Sequence, residues 1–199
     1  MFRFPKVDFD GYLFDCDGTL VNSMPVHYKA WCEALKEHDA PYGFPKDLFY
    51  DLGGTATDHI VNILNEKYGG NLDAKEVAHT KEKLFMERVC EVEPIGPVVS
   101  LAREVSRDQK VAVVSGGFRR VVMRLLESVG LVDTFKIVVT PADVAKGKPA
   151  PDMFLLAAGK LGVAPERCLV LEDGIMGVRG AAAAGMCSYL IPRLDLGEV

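Results

Sequence analysis

Four short segments of the 199-residue chain carry side chains able to do chemistry. In order they are Asp15-Cys16-Asp17-Gly18-Thr19, Ser115-Gly116-Gly117, Lys146-Gly147-Lys148-Pro149 and Glu172-Asp173-Gly174. That is an acid pair, a hydroxyl, a lysine and a second acid pair. Singly, each has a plainer reading: Asp-Gly after a strand is a turn, Ser-Gly-Gly is a helix entry, and a lysine before proline is exposed. Gathered on one rim, they place four carboxylates, a hydroxyl and an ammonium together. Two like charges 4 Å apart repel by about 4 kcal/mol at an effective dielectric of 20, so such a cluster requires a cation. Hard oxygen ligands suit Mg²⁺, which keeps several waters and bridges to phosphate oxygens. The joint chemistry is magnesium-assisted phosphoryl transfer.

Competing motifs fail on spacing. A phosphate-binding loop of the G-x-x-x-x-G-K-[ST] type is excluded, because Lys148 is followed by proline. Gly174, Gly177 and Gly180 form G-x-x-G-x-x-G on a helix, which suits close helix–sheet packing and not dinucleotide binding. A calcium loop fails because Thr19 stands at the third ligand position and the closing glutamate is missing. Cys16 lies between two aspartates that oppose its ionisation, so it reads as a buried filler and not a thiolate nucleophile.

These segments need elements to bring them together. Strand candidates are Tyr12–Asp15, Val111–Ser115, Lys136–Thr140, Cys168–Glu172 and Ser188–Ile191, short and several nearly all apolar, as for parallel strands covered on both faces. Helices punctuate them. Phe118–Val129 repeats its apolar residues at helical spacing and is followed by Gly130, while Pro151–Leu161 ends at Gly162. This alternation predicts an α/β, doubly wound parallel sheet, whose ligands bind beyond the carboxyl ends of the strands.

Residues 21–95 break the rhythm. Helical stretches Pro25–Glu37, Thr57–Lys67 and Ala74–Val89 alternate with the turn clusters APYGFP and YGGN, and no strand is expected there. About 70 residues of helix exceed what a crossover needs. The expected organisation is a discontinuous core, residues 1–20 and 96–199, with an inserted helical cap at 21–95.

Composition limits the partners. With 49% apolar residues and a net charge of −5, the chain can bury a core and is not disordered. The pI near 5.4, without a basic cluster, argues against nucleic acid or anionic membrane as partner, and a monomer is the default expectation. No run approaches the length of a bilayer span, and the opening MFRFPKVDFDGYLFD lacks a secretory pattern. Cys16, Cys32, Cys90, Cys168 and Cys187 are odd in number and widely spaced, which suits reduced thiols in the cytoplasm.

The stretch FDCDGTLVNSMPVHYKAW resembles the D-x-D-G-[TV] signature of the haloacid dehalogenase superfamily, and the helix after it resembles the β-phosphoglucomutase-like group of sugar-phosphate phosphatases and mutases. Ser115, Lys148 within GKPAPD, and Glu172-Asp173 match the family's other motifs in order. The resemblance implies a HAD-like core and a phosphomonoesterase acting on a small phosphorylated substrate. Asp15 would be the nucleophile that forms an aspartyl-phosphate, and Asp17 the general acid and then base. Mg²⁺ would be held by Asp15, the Asp17 carbonyl and Asp173, with Glu172 a ligand or the partner of one. Ser115 and the Gly116 amide would hold phosphate oxygens, and Lys148 would bridge phosphate and nucleophile.

Departures bear on the substrate. His27 falls where the mutases place a histidine near the acid/base aspartate, and reads equally as a contact inside the helical insert. Lys81 falls where the mutase cap has a phosphate-contacting lysine, or lies on a solvated helix face. The cap loop Gly53-Gly54-Thr55-Ala56-Thr57-Asp58 has no arginine for a distal phosphate, and Phe118 replaces a lysine. A sugar-monophosphate phosphatase is therefore expected ahead of a β-phosphoglucomutase-type mutase. A receiver domain is disfavoured by the insert and by Asp17, and a dehalogenase by the second carboxylate.

Overall fold

In the computed structural model, which describes residues 9–53 and 55–192, the chain begins with β1 (Gly11–Phe14) and β2 (Val21–Asn22). Four helices follow: α1 (Met24–Glu37), α2 (Lys46–Asp51), α3 (Thr57–Tyr68) and α4 (Ala74–Glu87). Then come β3 (Glu93–Pro94), α5 (Gly96–Val105), β4 (Lys110–Val114), α6 (Arg119–Ser128) and β5 (Val138–Val139). The chain continues through α7 (Asp152–Leu161), β6 (Cys168–Glu172), α8 (Ile175–Ala183) and β7 (Cys187–Leu190). Its contacts divide the described residues into two units, 9–22 with 93–192, and 23–92.

The first unit is built on a parallel sheet of order β5-β4-β1-β6-β7. Strand β6 is buried at all five residues, because helices cover both faces of the sheet. Leu13, Ala112, Val114, Val139 and Val170 pack with Met153, Phe154 and Ala157 of α7 and Ala181 of α8. Phe14 points to the other face, where its ring meets Phe135 edge-on at 5.5 Å. The chain leaves β1 toward β4 on one side and later returns to β6 on the other. That reversal opens a crevice beyond the carboxyl ends of β1 and β6, where open α/β sheets bind ligands.

Two differences from the expected elements have physical causes. The strand expected at Lys136–Thr140 pairs only over Val138–Val139, at a sheet edge, and Pro141 follows after Thr140. Residues 21–22 and 93–94 form a two-residue antiparallel ladder, Val21↔Pro94 and Asn22↔Glu93, although no strand is expected there. Such a ladder is too short for periodicity to register.

The second unit is helical. Helix α4 packs on α1 and α3 through Val77, Lys81, Leu84 and Phe85, one buried stripe at helical spacing. Asp73 caps α4 by accepting the Lys75 and Glu76 N–H groups at 2.9 and 3.0 Å. Helix α2 fills a span, after the expected turn at 40–45, for which the sequence assigns no element. It has six residues, anchored by buried Phe49 against the rings of Phe44 and Tyr28. Among the described residues, no helix is long and apolar enough to cross a membrane. All five cysteines are free thiols.

Candidate active site

Asp15 follows β1 directly, and its N–H donates to the Leu171 carbonyl at 2.9 Å, so the sheet ladder itself holds the residue beside β6. Glu172 is the last residue of β6. Lys148, on the loop before α7, donates from Nζ to Asp15 Oδ1 at 2.7 Å and to Glu172 Oε2 at 2.8 Å. All three are shielded from water, with side chains 10% exposed for Lys148, 8% for Asp15 and 5% for Glu172. Burial alone would make each charge costly, and the bridge is what lets them coexist.

Asp173 adds a third acid. Carboxylate oxygens of Asp15, Glu172 and Asp173 lie within 4.8 Å of one another. Thr19 Oγ1 donates to Asp173 Oδ1 at 3.4 Å. Gly18, at φ +81°, admits the same carboxylate, because a Cβ there would overlap Asp173 Oδ2 and lie 2.7 Å from its Cγ. Burial, reinforced by the neighbouring Asp15 charge, pushes the Glu172 carboxyl up to about 8 and that of Asp173 up to about 7. Asp15 is also raised by burial, against the pull of Lys148. Burial opposes the Lys148 charge, yet Asp15 and Glu172 outweigh it and hold the ammonium above its ordinary value. One cation therefore serves three carboxylates, and the set has room for a second positive charge. The donors are all hard oxygens, which fit Mg²⁺.

Gly117 links the hydroxyl segment to the second acid of the first pair. An ideal Cβ there would stand 3.4 Å from Ser115 Oγ and 3.5 Å from Asp17 Oδ2, so these two groups flank the same residue. Ser115 is buried and accepts the Gly117 N–H at 3.1 Å. Gly116 is exposed with open space at its Cβ position, so its backbone is approachable. Cys16 is fully buried, and burial with both flanking aspartates drives its thiol well above the ordinary range.

The family model for haloacid dehalogenase-like hydrolases matches residues 9–185. This chain belongs to that family. Over 177 residues it is 34% identical to fructose-1-phosphate phosphatase YqaB of Escherichia coli (strain K12), covering 88% of this chain and 93% of the relative. It is 26% identical over 182 residues to β-phosphoglucomutase of Bacillus subtilis (strain 168), covering 87% and 79%. The crystal structure of CbbY from Rhodobacter sphaeroides in complex with phosphate has the same fold, with a TM-score of 0.83 at 24% identity over 94% of this chain and 87% of that one.

Within this haloacid dehalogenase-like hydrolase, His27 and Lys81, expected in the insert, lie in the helical unit. His27 stacks on Phe85 with ring centroids 3.8 Å apart and planes 5° apart. Its Nδ1 lies 3.0 Å from Lys81 Nζ, which also pairs with Glu82 Oε1 at 3.0 Å. Lys81 is 4% exposed, so it does not lie on a solvated helix face. Its spacing from Val77 and Phe85 on the apolar stripe was the available signal. Gly54 lies outside the described residues. Thr19, a neighbour of the acids, carried no expected role, because its contact is with Asp173, 154 residues away; Gly177, expected only to allow close helix–sheet packing, lies against Glu172 instead.

Proposed function

We propose that this hydrolase is a Mg²⁺-dependent phosphatase for a small phosphorylated metabolite, in the first instance a sugar monophosphate, working through an aspartyl-phosphate on Asp15. The observation that carries the reading is Lys148 bridging Asp15 and Glu172 beside Asp173. Phosphoryl transfer asks for positioning and charge stabilisation, and this arrangement supplies both. The family match and the phosphatase among its relatives support the same chemistry.

An Asp15 carboxylate oxygen attacks phosphorus, and the bond from phosphorus to the ester oxygen breaks. Asp17 gives its proton to the departing alcohol oxygen. Asp17, now a carboxylate, takes a proton from a water, which attacks the same phosphorus and returns Asp15 with release of inorganic phosphate. Lys148 offsets the charge gathered around the transferring group, while Ser115 and the Gly116 amide hold phosphate oxygens. The Asp15 and Asp173 carboxylates, the Asp17 backbone carbonyl and Glu172 would hold Mg²⁺. When bound, the ion supplies Lewis-acid stabilisation of phosphate charge. The helical unit would act as the cap that selects the substrate, with residues 53–58, His27 and Lys81 its candidate determinants.

The alternative in the same family is sugar phosphomutation, and the mutase among the relatives keeps it in view. A mutase must grip both ends of a bisphosphate intermediate. Residues 53–58 include no arginine, and Lys81 is engaged by His27 and Glu82 inside its own unit. A lysine is also a weaker phosphate clamp than a forked guanidinium. Phosphate release should be screened over sugar monophosphates with Mg²⁺ and with chelator. Steady release that the chelator abolishes is expected, and full activity in chelator would refute the metal assignment. A coupled assay with β-glucose 1-phosphate and a bisphosphate primer separates the two reactions. Glucose 6-phosphate formed faster than inorganic phosphate would overturn the phosphatase reading.

A further inference from the structure

Helix α8 carries glycine at 177 and 180, and the structure separates their reasons. A Cβ on Gly180 would overlap Phe154 Cε2 at 2.6 Å and stand 3.2 Å from the Ala150 carbonyl oxygen, so this glycine lets α8 pack closely on the Phe154 ring of α7. Gly177 differs. The three atoms nearest a Cβ there all belong to Glu172: its Cδ and Oε2 would be overlapped, and its Cγ would lie 2.5 Å away. Gly177 is buried inside a helix, where alanine is the better helix former. Its missing side chain is the space the Glu172 carboxylate occupies.

That carboxylate has little freedom to move. Its Oε2 accepts Lys148 at 2.8 Å, and its Oε1 accepts the Gly174 N–H at 3.2 Å. The residue is 4% exposed, so little of it faces solvent. A methyl group at 177 must displace the carboxylate from its place between its two partners. Lys148 would then keep Asp15 alone.

We infer that Gly177 is a positioning residue: it seats Glu172, and through Glu172 it seats Lys148 and the three-acid group. This rests on the reading of that group as the Mg²⁺ site. Gly177 touches neither substrate nor ion and acts only through the Glu172 side chain.

The test is a four-protein cycle of wild type, Gly177→Ala, Glu172→Ala and the double variant, each titrated with Mg²⁺ by calorimetry after metal removal. Gly177→Ala should weaken Mg²⁺ binding by about tenfold or more, as removal of supporting groups around metal ligands does. Glu172→Ala removes the Cγ, Cδ and carboxylate oxygens that the new methyl would meet. In that background Gly177→Ala should cost less than about threefold, by the non-additivity expected of residues in contact. Gly159→Ala in α7 is the control, since a Cβ there meets nothing within 4 Å, and it should leave binding unchanged. Equal losses in both backgrounds, or none in either, would overturn the role of Gly177. If Gly177→Ala does not fold, a double variant that folds and binds Mg²⁺ sustains the inference, and one that also fails to fold overturns it. A wild-type protein that takes up no Mg²⁺ overturns the metal reading instead, whatever the variants do.

Discussion

Lys148 in the α/β unit and Lys81 in the helical unit are both shielded from water, with side chains 10% and 5% exposed, but their surroundings differ in kind. Lys81 has one carboxylate, Glu82, and its ammonium lies 5.8 and 5.4 Å from the Trp31 and Phe85 ring centroids. Its charge is matched by one acid and two aromatic faces, and nothing is left over. Lys148 faces Asp15 and Glu172 directly, with Asp173 beside them. Three carboxylates share one cation, and burial raises all three. Burying a charged side chain does not by itself make a site. An excess of one sign does, because the structure then holds free energy that a bound cation can release.

Several substitutions sharpen or break this contrast. The largest effect should come from Asp15→Asn, which keeps the shape and removes the attacking charge. Turnover should fall by several decades, at least about 10³-fold. More than about a tenth of wild-type turnover remaining would end the aspartyl-phosphate mechanism. Lys148→Met should lower kcat by about 10²–10³-fold, the usual loss for one group that stabilises transition-state charge. The contrast would collapse if Lys81→Met lowered kcat as much.

The raised carboxyls give the next effect. Glu172 and Asp173 must lose their protons to hold a cation, so Mg²⁺ affinity should climb with pH toward about 8 and then level. The slope should be up to about tenfold per pH unit for each proton released. In the metal-free protein the sign is opposite. Acids raised above their unfolded values bind protons better when folded, so they oppose folding increasingly as pH rises from about 4.5 to about 8. Melting temperature measured against pH should fall over that window without Mg²⁺ and flatten with it. Pre-saturation curves that are parallel with and without the ion would break the link between the acid cluster and the metal. The smallest effect is expected from Lys81→Met on stability. Glu82 is partly exposed and can rehydrate, so urea denaturation should report a loss of about 1–2 kcal/mol.

The elements around the site were legible to different degrees. Strand β6 matches its expected span, and α7 and α3 start or end within a residue of theirs, because apolar runs, prolines and closing glycines are local signals. Helix α2 and the β2–β3 ladder escaped, being shorter than any repeat that could announce them. Lys81 was open between a solvated face and a phosphate contact, since a lysine on an apolar stripe is unusual and only its neighbours decide whether it is buried.

The sequence by itself determined the type and order of the reactive groups and the α/β scaffold that carries them. Acid pair, hydroxyl, lysine and acid pair are residues, and each follows or precedes a strand or helix whose pattern is written over a few neighbours. Only the tertiary structure decided which of them meet. The 2.7 Å contact between Lys148 and Asp15 joins residues 133 apart, and it exists because β1 lies between β4 and β6 in the sheet. The same holds for the overlap that reserves the space at Gly177 for Glu172, five residues away across the turn from β6 into α8. Spacing along the chain carries periodicity, but distance across a fold depends on packing, and packing is where charge, burial and room for a cation are set.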